Sequence, residues 1–314
     1  MALQRRRTPL TLLVLLVGLP AVIGGCSDSV DGVAPVGGEE PSSVELERFV
    51  RRLHLDLTAR PASDDYLADA VAELEADTRA QGGSAETRGA IADRLIDSEE
   101  FAQTSVDELS NRVFGGEDPD TRYSLICGIA RDEDPACATC GPAPSGDPCG
   151  GCDCPALVRI DGDRQAVVDA AADLAGGSAS TSAVDRRFAG SSALAGFSAP
   201  EALADQLFQI FLGRPAEADE VANAQSMIVG TFLPDSPAGL LFHRHGADYQ
   251  DLLDIVFESE VYRDAATSAV FDRYLGRPAT LAEIAHFSAQ LDGDDPDVRP
   301  VIRAVVSSQE YFEQ

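Results

Sequence analysis

The chain has 314 residues, with 53 acidic and 24 basic side chains, and its formal net charge at pH 7 is −29. Every basic residue is an arginine, because the sequence contains no lysine. Nucleic acids and anionic membrane surfaces are bound through basic patches, so this composition argues against both as partners.

The first 25 residues are typical of an export signal. Three arginines at positions 5–7 precede an apolar run, residues 10–23, that is too short for a comfortable membrane span. The sequence Ile-Gly-Gly-Cys at 23–26 resembles the bacterial lipobox, in which the cysteine is acylated. The resemblance implies a lipoprotein signal peptide at 1–25 and a membrane anchor of acyl chains on Cys26. Ser27 implies sorting to the outer membrane, facing the periplasm or the cell surface. An ordinary signal peptide with an incidental cysteine is the alternative.

Five segments follow the signal peptide. Residues 26–44 are rich in Gly, Pro, Ser and acidic residues and poor in bulky apolar ones, which predicts a flexible tether. The others are an N-terminal helical module at 45–114, a cysteine-rich loop at 115–158, a helix with an Ala/Gly/Ser-rich linker at 159–199, and a C-terminal domain of two helical repeats at 200–314.

A four-residue sequence, Gly-Arg-Pro-Ala, occurs at 213–216 and at 276–279, and a degenerate copy, Ala-Arg-Pro-Ala, stands at 59–62. Apolar residues recur at helical spacing on both sides of each copy, which predicts a helix, a turn and a second helix. Glycine just past a helix end adopts the left-handed conformation that caps it, and proline prevents continuation. The predicted turn residues are Arg60, Pro61, Gly213, Arg214, Pro215, Gly276, Arg277 and Pro278.

The arginine of each turn has two interpretations. It is either an anion-binding residue, which would give three such sites, or a structural residue that bonds helix-end carbonyls or pairs with a nearby Ser-Glu. We favour the structural role.

Each copy continues to a third predicted helix that finishes in Ser-x-x-aromatic, with Phe101, Tyr262 and Tyr311 as core anchors. The predicted fold is therefore all-α, with three helical repeat modules and a disulfide-rich irregular insertion. Because the last two copies adjoin, we expect them to pack as one domain. The three copies span about 45–103, 201–262 and 263–314.

The first copy resembles a helical domain of unknown function found in surface proteins of planctomycetes and related bacteria. That family has the pattern LDLTGR-L-P-T-x-E and ends in LL-x-S-x-x-[FY]; here Ala59 replaces the glycine and the residue before the proline is missing. The two Gly-Arg-Pro-Ala copies resemble a second helical repeat of unknown function in exported bacterial proteins. Neither family has an established catalytic residue. The matching residues of the first copy are Leu55, Asp56, Leu57, Thr58, Arg60 and Pro61.

Six cysteines lie in a segment rich in Gly, Pro and Asp. Such a segment cannot form a hydrophobic core, so covalent or metal cross-links must order it. Beyond an export signal the oxidising compartment favours three disulfides, and fifteen connectivities are open. Zinc is the alternative, because two Cys-x-x-Cys pairs occur; a redox-active pair is a third. The chain has no Cys-x-x-Cys-His haem motif. The cysteines are Cys127, Cys137, Cys140, Cys149, Cys152 and Cys154.

Other candidate sites are weaker. His243 and His245 are a possible metal or proton site, although further ligands would be needed. Acidic stretches at 115–120, 159–164 and 292–297 are expected to be solvated turns, with calcium binding as the alternative, since none matches a complete EF-hand loop.

No zincin helix, phosphate loop or Gly-x-Ser-x-Gly is present in the sequence. We therefore expect no catalytic residue and no cofactor, with zinc or calcium as the possible exceptions. The expected function is a non-catalytic binding or scaffold module of the bacterial envelope with an envelope protein as partner. The alternatives are an accessory subunit of an envelope enzyme or electron-transfer system, and a metal-binding module that uses the cysteine-rich loop.

Overall fold

The computed structural model describes residues 41–81, 84–141, 143, 147, 149–196, 198–230, 238–291, 293 and 295–314. The predicted signal peptide, Cys26 and most of the predicted tether lie outside these residues. The described part is almost entirely α-helical, and disulfides cross-link the cysteine segment. The prediction of an all-α fold with a disulfide-rich insertion is therefore confirmed.

The helices and strands fall into three groups along the chain. The first group is α1 (Ser43–Thr58), α2 (Asp64–Gln81), α3 (Ala85–Ile96) and α4 (Glu99–Phe114). The middle group is α5 (Pro119–Glu133), α6 (Pro155–Val168), α7 (Ala170–Ala175), α8 (Thr181–Gly190) and α9 (Ser192–Ala195). The last group is α10 (Pro200–Phe211), α11 (Ala218–Val229), the antiparallel strands β1 (Gly239–Leu241) and β2 (Arg244–Gly246), α12 (Tyr249–Phe257), α13 (Glu260–Leu275), α14 (Leu281–Ser288), α15 (Arg299–Val306) and α16 (Gln309–Glu313).

The repeated four-residue sequences are the turns that end one helix and lead to the next. The first residue of each turn has a left-handed backbone, with φ of 66° at Gly213, 64° at Gly276 and 52° at Ala59. A left-handed conformation costs alanine on the order of 1 kcal/mol relative to glycine, because its Cβ crowds the carbonyl oxygen. The next helix starts three residues after the proline in every copy, at Asp64, Ala218 and Leu281.

A serine begins the fourth helix of each copy, and we call this junction the serine corner. The hydroxyls of Ser98, Ser259 and Ser308 cap α4, α13 and α16 by accepting the backbone N–H three residues on, at 3.2, 3.0 and 3.2 Å. The prediction that the third helix finishes in Ser-x-x-aromatic is wrong, because α3, α12 and α15 end before the serine. A capping hydroxyl competes with helix continuation. As a result α13 closes the second copy and opens the third.

The described residues enclose two hydrophobic cores. The first combines α1, α2 and α3 with the end of α13, α15 and α16, and the second extends from α4 to the start of α13. Phe49 and Tyr311 meet edge to face at 6.0 Å, and the Tyr311 hydroxyl donates to Asp56 at 2.7 Å. Residues 200–314 therefore do not enclose a core of their own, contrary to our expectation. The apolar side chains of α13 and α15 are buried with those of α1 and α3.

Two segments expected to be irregular are helical. The segment 176–196, expected to be a linker, contains α8 and α9 and buries Phe188, Ala189, Ala193 and Leu194. The cysteine-rich loop includes α5. Small side chains look like linker composition in a sequence, yet they also let helices approach closely, and that is their role in the second core.

The three turns allow a matched test of backbone strain. Ala59→Gly should raise the free energy of unfolding by about 1 kcal/mol, and Gly213→Ala and Gly276→Ala should each lower it by a similar amount. No atom of the described residues lies within 4 Å of a Cβ built at Gly213 or Gly276, so the loss comes from the backbone alone. Urea unfolding followed by circular dichroism measures the change. Equal midpoints for wild type and all three variants would contradict the left-handed turns.

Candidate functional site

Two of the three turn arginines are held by ion pairs. Arg214 donates twice to the carboxylate of Glu220 at 2.7 Å, and Arg277 donates twice to Glu283 at 3.0 and 2.8 Å. Each guanidinium also packs 5.2 Å from the ring centroid of a phenylalanine six residues earlier. The bonds from Arg277 lower the pKa of Glu283 to about 2. These two arginines stabilise their turns and are already paired with carboxylates.

The first turn is built differently. Tyr66 and His54 stand where the other copies have the glutamate and the phenylalanine, and their rings meet edge to face at 5.2 Å. His54 Nδ1 lies 2.9 Å from the carbonyl oxygen of Arg60. The Arg60 side chain is exposed and forms no ion pair with the residues that the structure describes. Within the described part of the chain, Arg60 is the one turn arginine without an ion pair.

All six cysteines of the insertion are paired in disulfides. Cys127 pairs with Cys149, Cys137 with Cys154, and Cys140 with Cys152, with Cα–Cα distances of 5.2, 5.3 and 5.5 Å. The cross-links tie the middle of α5 and the turn that follows it to the segment just before α6. Four of the six cysteines, Cys127, Cys137, Cys149 and Cys154, are buried.

The sulfurs of Cys137, Cys140 and Cys154 lie within 4.8 Å of one another, a spacing that would suit a metal ion. Zinc, however, is bound by thiolates. Because Cys137 and Cys154 are bonded to each other and Cys140 is bonded to Cys152, the cluster is the place where two disulfides come close together. The geometry favours the disulfide interpretation over the zinc interpretation.

The other candidate metal sites do not come together. His243 and His245 are exposed on the β1–β2 hairpin, and no third histidine, cysteine or carboxylate joins them among the described residues. The stretch 159–164, expected to be an acidic turn, is part of α6, where Arg164 bonds Asp120 at 2.8 Å. Asp118, in the stretch 115–120, caps α5, and Asp297 pairs with Arg299 at 2.6 Å.

A cleft of about 860 Å³ lies where the two cores meet, and its volume is typical of ligand sites. Most of its lining comes from α4 and α13, each of which contributes residues spaced three or four apart along one face. α8 and α10 contribute three residues each, and α7 and α15 contribute one each. The cleft is therefore bounded by both cores.

Two equivalent arginines line this cleft. Arg112 and Arg273 each stand fourteen residues after the serine of their corner. Arg112 donates to the carbonyl of Ile210 in α10 at 3.3 Å, and Arg273 donates to the carbonyl of Asp56 in α1 at 3.2 Å. Ile210 and Asp56 are themselves equivalent, because each precedes its turn arginine by four residues. The first and second copies thus hold each other by two equivalent hydrogen bonds, which we call the clasp.

The two arginines of the clasp differ in their ion pairs. Arg273 also pairs with Glu108 of α4, with a donor–acceptor distance of 2.8 Å for its second bond. The residue of α13 that corresponds to Glu108 is Ala269. Arg112 therefore has no carboxylate opposite it, and it makes no ion pair with any described residue.

Asp185 faces the cleft from α8. Its Oδ2 accepts a hydrogen bond from the Tyr262 hydroxyl at 2.7 Å, and its Oδ1 has no hydrogen-bond partner among the described residues. Burial raises the pKa of the Asp185 carboxyl to about 6, although the Tyr262 bond and Arg112 oppose the rise. Burial and the nearby Asp185 also raise the pKa of Tyr262, so its hydroxyl stays protonated and donates. A strongly perturbed carboxyl in a cleft is a typical mark of a functional site.

The lining of the cleft suits binding. Its apolar residues surround a few ionisable groups, and no histidine or cysteine is among the lining residues. The Asp185 carboxyl can pair with a cation or exchange a proton near pH 6, and the lining side chain that it contacts is the protonated hydroxyl of Tyr262.

Sequence reasoning did not identify Asp185 as a site residue. It lies in the segment that we expected to be a linker, and no local motif marks it. The spacing of Val184 and Phe188, which are both buried in α8, was the available indication that this segment is an amphipathic helix. Nothing in the sequence alone places α8 beside Tyr262.

Comparisons with protein-family models, with curated proteins and with solved structures find no match for this chain. Across the described residues, none of the helices is long and apolar enough to cross a membrane.

The disulfides predict a graded loss of stability. Replacing the buried pair Cys127 and Cys149 with serine should cost about 3 kcal/mol, because a cross-link restricts the unfolded chain and the serines would be buried. The same change at Cys140 and Cys152, which are partly exposed, should cost less. Denaturant unfolding of both double variants, with a thiol titration of unfolded wild type, checks the order. Six titratable thiols in freshly purified wild type would contradict the pairing.

The raised pKa of Asp185 predicts that the free energy of unfolding falls as this carboxyl ionises. The folded state holds this proton more tightly than the unfolded chain, where an aspartate has a pKa near 4. Ionisation therefore lowers stability as the pH rises from about 4 to 6, by roughly 3 kcal/mol. Asp185→Asn should accordingly be more stable than wild type at pH 7.5 and similar to it at pH 4.5.

Urea unfolding of wild type and Asp185→Asn at both pH values measures this difference. The exposed Asp69 provides a matched control, since Asp69→Asn removes the same charge from the surface of α2. A variant that is less stable than wild type at pH 7.5 would show that Asp185 has a structural role instead.

Proposed function

We propose that this chain is an exported lipoprotein of the bacterial outer membrane, held there by acyl chains on Cys26, whose helical body binds an envelope protein in the cleft between α4 and α13. The body acts as a non-catalytic binding module. The lipobox-like sequence at 23–26 supports the anchor, and the acidic, lysine-free composition supports a protein partner over a nucleic acid.

The cleft is the observation that carries the proposal. It combines apolar walls with a few ionisable side chains, which is the usual make-up of a site that recognises a ligand by shape and by a small number of polar contacts. Most of its lining residues belong to helices, and the clasp holds α4 against α10 and α13 against α1, so the site is built mainly on helices and not on a loop.

A metal-binding function of the cysteine-rich loop has less support. All six sulfurs of the loop are engaged in disulfides, so metal binding would first require their reduction. An accessory role beside an envelope enzyme or an electron-transfer protein is compatible with the proposal, because it specifies the partner and uses the same cleft. The resemblance of the first copy to a helical domain of surface proteins agrees with an envelope location and remains a prediction.

Photo-crosslinking of the full chain in its native host tests the proposal. A benzophenone side chain at Ala269, which is exposed in the cleft, should capture a defined envelope protein, whereas the same group at Ala68, exposed on α2, should not. The purified partner should then bind wild type and lose at least tenfold in affinity for Ala266→Trp, because the indole fills the cleft. The chain should partition with outer membranes, and Cys26→Ser should release it. Equal capture at both positions, or unchanged binding by Ala266→Trp, would refute a role for the cleft.

A further inference from the structure

We propose that Asp185 is a specificity residue that binds a single cationic group, an arginine or lysine side chain, carried on an apolar segment of the protein that enters the cleft. This inference rests on the proposed function, since it names the chemistry of the ligand for the same site.

The hydrogen-bond geometry leaves one carboxylate oxygen available. The Tyr262 hydroxyl donates to Oδ2 and thereby fixes the orientation of the carboxylate. Oδ1 receives no hydrogen bond from the described residues, and Asp185 retains part of its surface in the cleft. A carboxylate removed from bulk water needs donors for its free lone pairs, and a guanidinium or ammonium group is the donor that also neutralises its charge.

No arginine among the described residues donates a hydrogen bond to Oδ1 or pairs with Asp185. Arg186, the next residue of α8, pairs with Asp254 at 2.9 Å and with Glu258 at 3.7 Å on α12. Arg273 is paired with Glu108 across the cleft. Arg112 is near enough to lower the pKa of Asp185, yet it does not come within ion-pair distance and donates to the Ile210 carbonyl. The carboxylate of Asp185 is thus left to an external cation.

The surroundings of Asp185 define the rest of the ligand. Val184 and Phe211 line the cleft near the ends of α8 and α10, and Ala265, Ala266 and Val270 line it from α13. Side chains of this kind favour an apolar segment on either side of the cation. The net charge of −29 attracts a basic segment from a distance and repels an acidic one.

An anionic ligand bound by Arg112 is the competing possibility. Arg112 is exposed, so water already solvates its charge, whereas the charge of Asp185 is largely desolvated. A partner charge gains more from the desolvated group, because the interaction is weakly screened there. The geometry therefore favours a cation at Asp185 over an anion at Arg112.

Three matched peptides test the proposal with the purified full chain after removal of its signal peptide. Each is an acetylated and amidated seven-residue peptide, Ser-Leu-Leu-X-Leu-Leu-Ser, in which X is arginine, citrulline or glutamate. Citrulline has the shape of arginine without its charge. Affinities for wild type, Asp185→Asn and Ala266→Trp are measured by titration calorimetry at pH 7.5 in low salt.

We expect wild type to bind the arginine peptide at least tenfold more tightly than the citrulline peptide. Asp185→Asn should abolish this preference, so that the arginine and citrulline peptides bind with equal affinity, and Ala266→Trp should weaken binding of both peptides. The preference of wild type should decline between pH 7.5 and pH 5, because the carboxyl becomes protonated. The other charged groups close to the Asp185 carboxylate and the Tyr262 hydroxyl are Arg112 on α4 and Arg186 on α8.

Several outcomes would overturn the inference. These are equal affinity of wild type for the arginine and citrulline peptides, a preference that persists in Asp185→Asn, tighter binding of the glutamate peptide, and no binding of any peptide at millimolar concentration. The proposed function fails separately, when the Ala269 crosslinker captures no defined partner. A captured partner whose affinity is unchanged by Asp185→Asn would retain the function and remove the role of Asp185.

Discussion

The serine corner is the interaction on which the rest of the architecture depends. A single hydroxyl, at Ser98 or Ser259, ends one helix and starts another by capping the backbone N–H of a buried aromatic residue. That residue, Phe101 or Tyr262, anchors the first turn of a 16-residue helix in a core. Because α4 and α13 begin at equivalent serine corners, they present equivalent faces. Those two faces supply most of the lining of the cleft.

Repetition and its exceptions together explain the site. The clasp of Arg112 and Arg273 joins two copies of one structural unit through equivalent carbonyl oxygens. The differences between the copies then supply the chemistry. Tyr262 has a hydroxyl where Phe101 has none, and that hydroxyl orients Asp185. Ala269 stands at the position that corresponds to Glu108, and Arg112 forms no ion pair with the described residues. The ionisable groups that distinguish the cleft therefore occur at positions where the copies differ in sequence.

The sequence predicts the local parts of this fold and misses the relations between them. Spacing of apolar residues and the Gly-Pro turns predict the helices, because helix ends depend on neighbouring residues. The cysteine composition predicts disulfides but not their partners, since connectivity depends on tertiary structure. The packing of α13 and α15 against α1 and α3 has no sequence signature. α13 carries apolar residues on more than one face, and the helices that pack against it are determined by the tertiary structure. Asp185 was missed for the same reason, as its pKa depends on the two cores that surround it.

The sharing of one core by distant parts of the chain sets an order of assembly. The bond between Tyr311 and Asp56 spans 255 positions, and the bond from Arg88 to the Ser307 carbonyl spans 219. The disulfides, by contrast, join residues 12 to 22 positions apart. Contacts between residues far apart in the sequence form slowly, because a long loop must close first, whereas contacts between nearby residues form early. We therefore expect the apolar surface of α3 that packs against α15 to be covered last, after the end of the chain has been synthesised.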